Sequence, residues 1–197
     1  MERLFLARIL PHVTTSPNFN PYQSAYRCNH STETSLLFTL DSCFTAIDNR
    51  KSTVLLSLDL SAAFNTIDHI TFINRLRISF GITGAALNWI SSYLAERRLF
   101  VQINNARSKI CECSTGVPRG SVLGPILFSL YISPVAAIAR EHEIQQQQYA
   151  DDTQLFIAVS NPDCVAGLRR LEECIMELHI WFCVNKLALN PDKTDAI

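Results

Sequence analysis

The chain has 197 residues, and 48% of them are hydrophobic, a composition that is typical of a globular domain and unlike that of a disordered segment. Its formal net charge of −1 gives no sign of a generally basic nucleic-acid-binding surface, so any such surface has to be local. The seven cysteines form no Cys-x-x-Cys pair, which argues against a zinc site and favours reduced, buried thiols in an intracellular protein. No apolar run has the length of a transmembrane helix, so we expect no membrane partner.

The chain before residue 52 predicts two helices separated by a loop. Residues 1–8 are interrupted by charge too often for a signal peptide and indicate the last turns of an amphipathic helix. Residues 11–21 are rich in Pro, Ser, Thr and Asn, which indicates a loop. A second helix is predicted from Ser31 to Asn49. Its apolar face would consist of Leu36, Leu37, Leu40, Phe44 and Ile47.

A buried strand that leads into an acidic residue comes next. Residues 54–58 are almost continuously apolar, which is typical of a strand buried on both faces, and Asp59 follows directly. Helices are then predicted over residues 66–79 and 85–95. Two further strands are predicted to meet at a turn formed by Asn104-Asn105.

The second half of the chain begins with a glycine-rich segment, residues 116–124. The helix predicted from Pro125 is nearly all apolar, so it should be buried on most sides, and Pro134 should kink it or end it early. A last helix is predicted to start at Asn161–Asp163, with Asn161 as its cap. Its apolar face would consist of Val165, Leu168, Leu171, Cys174, Ile175, Leu178, Trp181 and Phe182. The order of these elements favours an α+β fold, an antiparallel sheet with helices on one face.

Two adjacent carboxylates, Asp151 and Asp152, separate the apolar residues 144–149 from 155–159. This spacing predicts a tight hairpin with the acids at its tip. If the hairpin neighbours the strand before Asp59, the carboxylates converge at one edge of the sheet. Such oxygen ligands suit Mg²⁺, and two ions about 4 Å apart support in-line phosphoryl transfer. The alternatives are local, because Asp is common in tight turns and Asp59 could simply cap the next turn.

Three segments occur in the order of the reverse transcriptase palm motifs. They are Leu58-Asp59-Leu60-Ser61-Ala62-Ala63-Phe64, Gly116-Val117-Pro118-Arg119-Gly120-Ser121-Val122-Leu123-Gly124-Pro125 and Tyr149-Ala150-Asp151-Asp152. Shorter matches lie at residues 23–27, 30–34, 92–94 with Arg97, 185–187 and 190–194. Over nearly its whole length the chain resembles the reverse transcriptase domain of a non-LTR (LINE-type) retrotransposon, closest to the Jockey/CR1-like group.

The resemblance implies an RNA-directed DNA polymerase, whose partners are an RNA template, a DNA primer and deoxynucleoside triphosphates. It implies an α+β fold of fingers and palm, with helices packed on one face of an antiparallel palm sheet. Residues 1–52 would be a partial fingers segment and residues 53–197 the palm with interleaved fingers elements. The thumb would be absent, as in a domain truncated at both ends. The protein would act inside the cell, in the nucleus or the cytoplasm, and its oligomeric state is left open.

The resemblance also implies the metal ligands. Asp59, Asp151 and Asp152 would hold two Mg²⁺ ions, or Mn²⁺, with the carbonyl of Leu60 as a further ligand. The 3′-hydroxyl of the primer would attack the α-phosphate of the incoming nucleotide and release pyrophosphate.

Further site residues follow from the same resemblance. Phe64 would lie beneath the sugar and exclude a 2′-hydroxyl, and Gly120 would let the backbone approach the nucleotide and template. Lys193 would neutralise or protonate the leaving pyrophosphate. A core aromatic and a surface lysine are the comparable alternatives for Phe64 and Lys193. Arg119 stands where the family usually has Gln, so it would either bind triphosphate or crowd the pocket.

Three hypotheses of function remain open. The first is the polymerase domain described above. The second is a catalytically silent remnant or captured domain with at most RNA or protein binding, which truncation and Arg119 favour. The third, an RNA-directed RNA polymerase, shares the two-metal palm, but Phe64 and the segment at residues 116–121 argue against it.

Overall fold

The computed structural model describes residues 1–118 and 120–197. The helices are α1 (Glu2–Thr14), α2 (Thr32–Asp48), α3 (His69–Ile78), α4 (Gly84–Leu94), α5 (Gly124–Ile132), α6 (Val135–Glu141) and α7 (Cys164–Val184). The strands are β1 (Ser52–Leu58), β2 (Leu60–Ser61), β3 (Arg97–Leu99), β4 (Gln102–Ile103), β5 (Ala106–Arg107), β6 (Cys111–Cys113), β7 (Gln145–Tyr149), β8 (Asp152–Val159), β9 (Ala188–Leu189) and β10 (Asp195–Ala196). Within this described part, no helix is both long and apolar enough to cross a membrane.

The main sheet is antiparallel and has the strand order β10, β1, β8, β7 among the described residues. β1 pairs with β8 along its whole length, and the ladder ends with Leu58 opposite Thr153. β7 and β8 form the hairpin predicted around the adjacent acids, with Tyr149 opposite Asp152. The strand before Asp59 and the acidic hairpin are therefore neighbours, which is the arrangement that the sequence required for converging carboxylates.

Two shorter antiparallel pairs lie between α4 and α5. β3 pairs with β6, and β4 pairs with β5. Asn104 and Asn105 form the turn between β4 and β5, where Asn104 has a φ of 51°. Asparagine tolerates this left-handed conformation better than most residues, so the turn predicted from the Asn pair is confirmed.

The helix that follows the glycine-rich segment lies in the core. Residues 126–132 of α5 are all buried, and Phe128 and Tyr131 are among the largest fully buried side chains. A nearly all-apolar helix has no polar face to present to water, so it is enclosed by other elements. Pro134 separates α5 from α6, because proline lacks the N–H that would continue the helix. Both predictions for this segment are confirmed.

The apolar face predicted for α2 is exposed rather than packed on the sheet. The side of α2 that is buried carries Ser35, Thr39 and Ala46. Thr39 donates to Oε1 of Gln154 at 3.0 Å, and Ser35 accepts from Nε2 of Gln147 at 2.9 Å. Buried amides need hydrogen-bonding partners, so the glutamines of β7 and β8 select the polar side of the helix. The outward residues include Leu36, Leu37, Phe44 and Ile47, each more than half exposed.

α1 continues through Pro11 to Thr14, so the predicted loop at residues 11–21 is wrong in its first part. Proline in a helix interior costs about 3 kcal/mol, because it removes one hydrogen bond and clashes with the preceding turn. Tertiary contacts of the last turn offset this cost. Val13 is fully buried, and Nε2 of His12 lies 2.7 Å from the carbonyl oxygen of Phe80.

α7 begins at Cys164 without a side-chain cap, so the prediction of Asn161 as its cap is wrong. Val165, predicted on the apolar face, is 81% exposed. The cause is a close approach between α7 and β8 at Gly167, where an added Cβ would lie 2.5 Å from Cγ1 of Val159. Because of this contact, the face of α7 that contains Gly167 packs against the sheet. The buried stripe is Gly167, Leu171, Cys174, Leu178 and Phe182.

The seven cysteines are all free, and most are not buried. Cys28, Cys111 and Cys183 are exposed, so the expectation of buried thiols is wrong for them. Cys174 is buried, and desolvation raises the pKa of its thiol to about 11. Because the thiolate is the reactive form, Cys174 is an inert core side chain at neutral pH.

Candidate active site

The register of β1 and β8 brings Asp59 and Asp152 to the same end of the main sheet. Leu58 and Thr153 are the last pair of the ladder, so Asp59 and Asp152 are the next residues on adjacent strands. Asp151 precedes Asp152 at the hairpin turn. Burial raises the pKa of Asp152, and the charges of Asp151 and Asp59 raise it further. The predicted carboxylates therefore lie close enough to interact.

The donor chemistry of this corner fits Mg²⁺. Lys193 lowers the pKa of Asp152, but burial and the charges of Asp151 and Asp59 outweigh it, so the net direction is upward. Within residues 1–118 and 120–197, no group of three His, Cys, Asp or Glu side chains is arranged to hold a metal ion by itself. Mg²⁺ commonly uses one or two carboxylates and completes its coordination with water and substrate phosphates. The acids thus fit Mg²⁺ as a partial set of ligands.

Asp59 is held by the segment that follows β9. β2 pairs with β9, with Leu60 opposite Leu189, and this pairing carries Asn190 to Asp59. Nδ2 of Asn190 donates to Oδ2 of Asp59 at 3.1 Å. Nζ of Lys193 lies 3.9 Å from the same oxygen, and its side chain is 69% exposed. Lys193 is therefore beside Asp59, and its role towards a leaving pyrophosphate stays a prediction.

Phe64 has one face in the core. It lies in the 3₁₀ turn Ala63–Asn65, which begins after Ala62 adopts a left-handed φ of 51°. The Phe64 ring stacks on Phe128, with centroids 4.7 Å apart and planes inclined by 24°. The side chain is only partly buried, so one face packs in the core, and its contact with a nucleotide sugar stays a prediction.

Gly116 fixes the turn that carries Phe64. The Gly116 N–H donates to the carbonyl of Ile67 at 2.7 Å, and the Val117 N–H donates to the carbonyl of Phe64 at 2.8 Å. Gly116 has a φ of 83°, and an added Cβ would lie 2.9 Å from backbone atoms of Phe64 and Asn65. Only glycine allows this approach and this conformation together. The glycine-rich segment thus supports the Phe64 turn as well as lying near the site.

The other two predicted residues of that segment remain predictions. A Cβ at Gly120 would meet no heavy atom within 4 Å, so the backbone there has open space beside it. Arg119 lies outside the described residues. The contact of either residue with a nucleotide is untested.

Comparison with known proteins gives the family. The sequence profile described as reverse transcriptase (RNA-dependent DNA polymerase) matches residues 1–197, which is the whole chain. The chain belongs to the reverse transcriptase family. The resemblance found in the motifs is confirmed.

The relatives of this reverse transcriptase domain are polymerases of mobile elements. It is 26% identical over 198 residues to the RNA-directed DNA polymerase from mobile element jockey of Drosophila melanogaster, covering 98% of this chain and 21% of the relative. It is 28% identical to the probable RNA-directed DNA polymerase from transposon BS of the same species, with the same coverage. The chain thus spans about a fifth of the length of these relatives. The assignment to Jockey-like non-LTR elements is confirmed.

Solved structures show the same fold at much lower identity. The telomerase of Candida albicans, solved with a TWJ fragment of telomeric RNA, matches with a TM-score of 0.68 and 11% identity, over 100% of this chain and 34% of the other. The apo telomerase of Candida tropicalis matches with a TM-score of 0.66 and 12% identity, over 99% of this chain and 36% of the other. The reverse transcriptase domain therefore has a reverse transcriptase-like fold of mixed helices and antiparallel sheets, which confirms the predicted fold class at that level.

Two arginines of the reverse transcriptase domain line a cavity beside the Phe64 turn. Arg97 and Arg98 line a cavity of about 220 Å³ together with Gly116 and Pro118. Nε of Arg97 donates to the carbonyl of Tyr93 at 2.8 Å, so this guanidinium is oriented by the protein. Arg98 is largely exposed, and a phosphate contact there requires no broken buried interaction.

Asn185 is a structural centre that sequence reasoning did not identify. Its side chain accepts from Arg75 at 2.5 Å, and its backbone carbonyl accepts from the hydroxyl of Tyr131 at 2.7 Å. The Arg75 guanidinium also lies over the rings of Tyr131 and Trp181, at 4.7 and 5.2 Å. The matched motif at residues 185–187 therefore ties the end of α7 to α3 and α5.

Lys186 continues this structural role. Its Nζ lies 2.5 Å from Oδ2 of Asp68, whose Oδ1 accepts from the N–H of Thr71 at 2.9 Å and so caps α3. The hydrogen bond from Lys186 is the main cause that lowers the pKa of Asp68 to about 2. Asp68 thus caps α3 and pairs with Lys186, and the separation of 118 positions left no local sequence signal for that pair.

Gln23 is a further residue that sequence reasoning named only as part of a motif. It is fully buried, and its carboxamide contacts the backbone of Ala150 in the hairpin turn. No periodicity or turn rule relates residues separated by 127 positions, so only the motif match at residues 23–27 marked it.

Proposed function

We propose that this chain is the catalytic region of an RNA-directed DNA polymerase, which adds deoxynucleotides to a DNA primer on an RNA template. The observation that carries the proposal is the placement of Asp59 directly after β1 and of Asp152 at the start of the adjacent strand β8, with Asp151 in the adjoining turn. The relatives bear this activity in their names. Because the chain spans a fifth of their length, its own activity is inferred from its residues.

We assign the main sheet to the palm, since β1 and β8 deliver the acids. Residues 53–197 would then be the palm with interleaved fingers elements, and residues 1–52 part of the fingers. Contacts of α2 with Gln147 and Gln154 pack this helix on the hairpin of the main sheet, so the two proposed segments would act as one unit.

Asp59, Asp151 and Asp152 would hold two Mg²⁺ ions, with the carbonyl of Leu60 as a further ligand. When bound, Mg²⁺ would lower the pKa of the primer 3′-hydroxyl and stabilise negative charge on the nucleotide phosphates. The same oxygen donors accept Mn²⁺. Burial and the neighbouring charges of Asp151 and Asp59 raise the pKa of Asp152, and a cation bound among these carboxylates would favour their charged forms.

The other side chains have separate tasks. Asn190 orients the Asp59 carboxylate through the Nδ2 contact. Lys193 supplies a mobile positive charge, and a proton, for the leaving pyrophosphate. The Phe64 ring stacks on Phe128, which limits its displacement, so a 2′-hydroxyl would clash with it. Gly120 and Arg119 would lie along the nucleotide.

The test is Mg²⁺-dependent extension of a DNA primer on an RNA template by this chain. The double variant Asp151→Asn/Asp152→Asn should abolish incorporation. The matched control is Asp41→Asn/Asp48→Asn, which removes the same charge from the exposed surface of α2 and should leave the rate unchanged.

Failure of the wild-type chain to incorporate nucleotides, in this form and with Arg119→Gln, would contradict the proposal. Retained RNA binding in that case would instead identify a silent domain, the alternative named above. Preference for ribonucleotides over deoxynucleotides would identify an RNA polymerase.

A further inference from the structure

The turn that carries Asp151 is intrinsically unfavourable. Ala150 adopts a φ of 57°, a left-handed conformation that is unfavourable for a residue with a side chain. Two negatively charged residues follow it directly, and their repulsion opposes a compact turn. The turn therefore needs support from outside the hairpin.

Gln23 supplies that support through both ends of its carboxamide. Nε2 donates to the carbonyl of Ala150 at 3.0 Å, and Oε1 accepts from the N–H of Ala150 at 2.9 Å. Oε1 also accepts from the N–H of Ala25 at 3.0 Å. The side chain is fully buried, so these bonds are shielded from water. Gln23 thus satisfies both backbone groups of the residue in the strained conformation.

The backbone around Gln23 is itself fixed to the hairpin. The N–H of Gln148 donates to the carbonyl of Tyr22 at 3.1 Å, and the N–H of Ser24 donates to the carbonyl of Gln148 at 2.9 Å. Gln23 forms a parallel bridge with Gln148. The carboxamide is therefore presented by a segment that is already ordered along β7, so little conformational freedom remains to be lost.

From this geometry we propose that Gln23 is a positioning residue, which fixes the turn at Ala150 and so sets where the carboxylates of Asp151 and Asp152 lie for divalent-ion binding. The consequence for ion binding rests on the proposed function; the contacts with Ala150 do not. Gln23 touches neither carboxylate, so it acts through the backbone of the turn alone.

The position calls for both a donor and an acceptor. Methionine has a similar shape but makes no hydrogen bond, so it would leave the N–H and carbonyl of Ala150 without their partner. Glutamate retains the two acceptor bonds when ionised but loses the donor bond. It also adds a negative charge near Asp151.

Gln147 offers a matched control on the same hairpin. It is 4% exposed, and its Nε2 donates to the hydroxyls of Ser24 and Ser35 at 2.6 and 2.9 Å. Gln147→Met therefore removes buried hydrogen bonds between the hairpin and the preceding segment without touching the turn. It should lower the melting temperature comparably to Gln23→Met.

The experiment compares the full chain with each variant by amide hydrogen exchange, followed by NMR, and by Mn²⁺ titration. Gln23→Met should speed exchange at the Ala150 amide roughly tenfold relative to amides at the centre of β8, the effect of one lost buried hydrogen bond. It should also weaken Mn²⁺ binding several-fold. Gln147→Met should change neither quantity in that local way. If Gln23→Met does not fold, Gln23→Leu and Gln147→Leu, which also remove the hydrogen bonds without adding charge, replace the pair with the same expectations.

Equal effects of the two variants on Ala150 exchange would overturn the proposal, because the role of Gln23 would then be general stability. Localised exchange with unchanged Mn²⁺ affinity would overturn it too, since the turn would not position the acids. These readouts do not depend on polymerisation. If the wild-type chain binds Mn²⁺ but extends no primer, the proposed function is contradicted. The exchange and Mn²⁺ measurements would still test the role of Gln23.

Discussion

Asn190 holds Asp59 at two points. Its Nδ2 donates to Oδ2 of the Asp59 carboxylate at 3.1 Å, and its backbone N–H donates to the Asp59 carbonyl at 2.9 Å. A backbone bond and a side-chain bond to one residue fix both its position and its rotamer. The carboxylate that ends β1 is therefore oriented before any ligand arrives, which limits the reorganisation that ion binding requires.

Replacing Asn190 should impair catalysis more than folding. Asn190→Asp keeps the acceptor for the N–H of Asp192 but replaces the donor to Asp59 with a repelling anion. We expect primer extension to fall roughly 10- to 100-fold, the usual range for residues that orient a metal ligand. The same change at the exposed Asn161 is the control. An extension rate within twofold or so of wild type for Asn190→Asp would count against the orienting role.

Gly116→Ala should destabilise the protein by about 2–4 kcal/mol, from the left-handed φ and the clash with the Phe64 turn combined. Gly81→Ala is the matched control, since Gly81 also has a positive φ, 64°, but has no atom within 4 Å of an added Cβ. It should lose only the conformational part, about 1 kcal/mol. Urea unfolding measures both, and equal losses would mean that the close approach at Gly116 is unimportant.

Phe64→Val should relax the preference for deoxynucleotides. A smaller side chain opens space for a 2′-hydroxyl, so the ratio of ribonucleotide to deoxynucleotide incorporation should rise roughly tenfold or more. Phe182→Leu is the control, because it removes a fully buried aromatic ring from the core without touching the Phe64 turn. The measurement is single-nucleotide extension with each substrate. An unchanged ratio for Phe64→Val would assign Phe64 to the core alone.

The pair of Asp68 and Lys186 should make stability depend on pH in acid. The pKa of Asp68 lies at about 2 instead of its ordinary 3.8, chiefly through the hydrogen bond from Lys186. A lowered pKa means that the folded state binds the proton less tightly than the unfolded chain. The contribution is fully present above pH 3.8 and is lost as the pH falls through about 2.

Asp68→Asn isolates this effect, since asparagine still caps α3. The free energy of unfolding of the wild-type chain should exceed that of the variant by about 1 kcal/mol at pH 6. The difference is small because the Lys186 ammonium is exposed and screened by solvent. The difference should shrink between pH 4 and pH 2 or so. Urea unfolding across this range gives the answer, and a difference that stays constant would contradict the assignment.

Local patterns sufficed for the elements that hold the acids. The apolar run before Asp59 and the short turn at Asp151 each predict their own strand end, and the register then aligns them. The break at Pro134 follows in the same way from a missing N–H. These features depend on neighbours in sequence, so a single chain reveals them.

The wrong predictions for the buried faces of α2 and α7 have a common cause: the element packed against each helix determined which face is buried. α2 packs with its polar side inward because that side hydrogen-bonds to Gln147 and Gln154. The buried face of α7 differs from the predicted one because Gly167 allows a close approach to Val159. Pairings over long separations, such as Gln23 with Ala150, leave no periodic signal at all. They became visible only when the chain was folded.

The central claim is that Asp59, Asp151 and Asp152 form one divalent-ion site at the end of β1 and β8. Its most direct test is anomalous X-ray diffraction from crystals of this chain soaked in Mn²⁺. We expect an anomalous peak within ligand distance of the carboxylates of Asp59 and Asp152, and its loss in Asp59→Asn. Binding of Mn²⁺ elsewhere on the molecule, with none at these carboxylates, would contradict it.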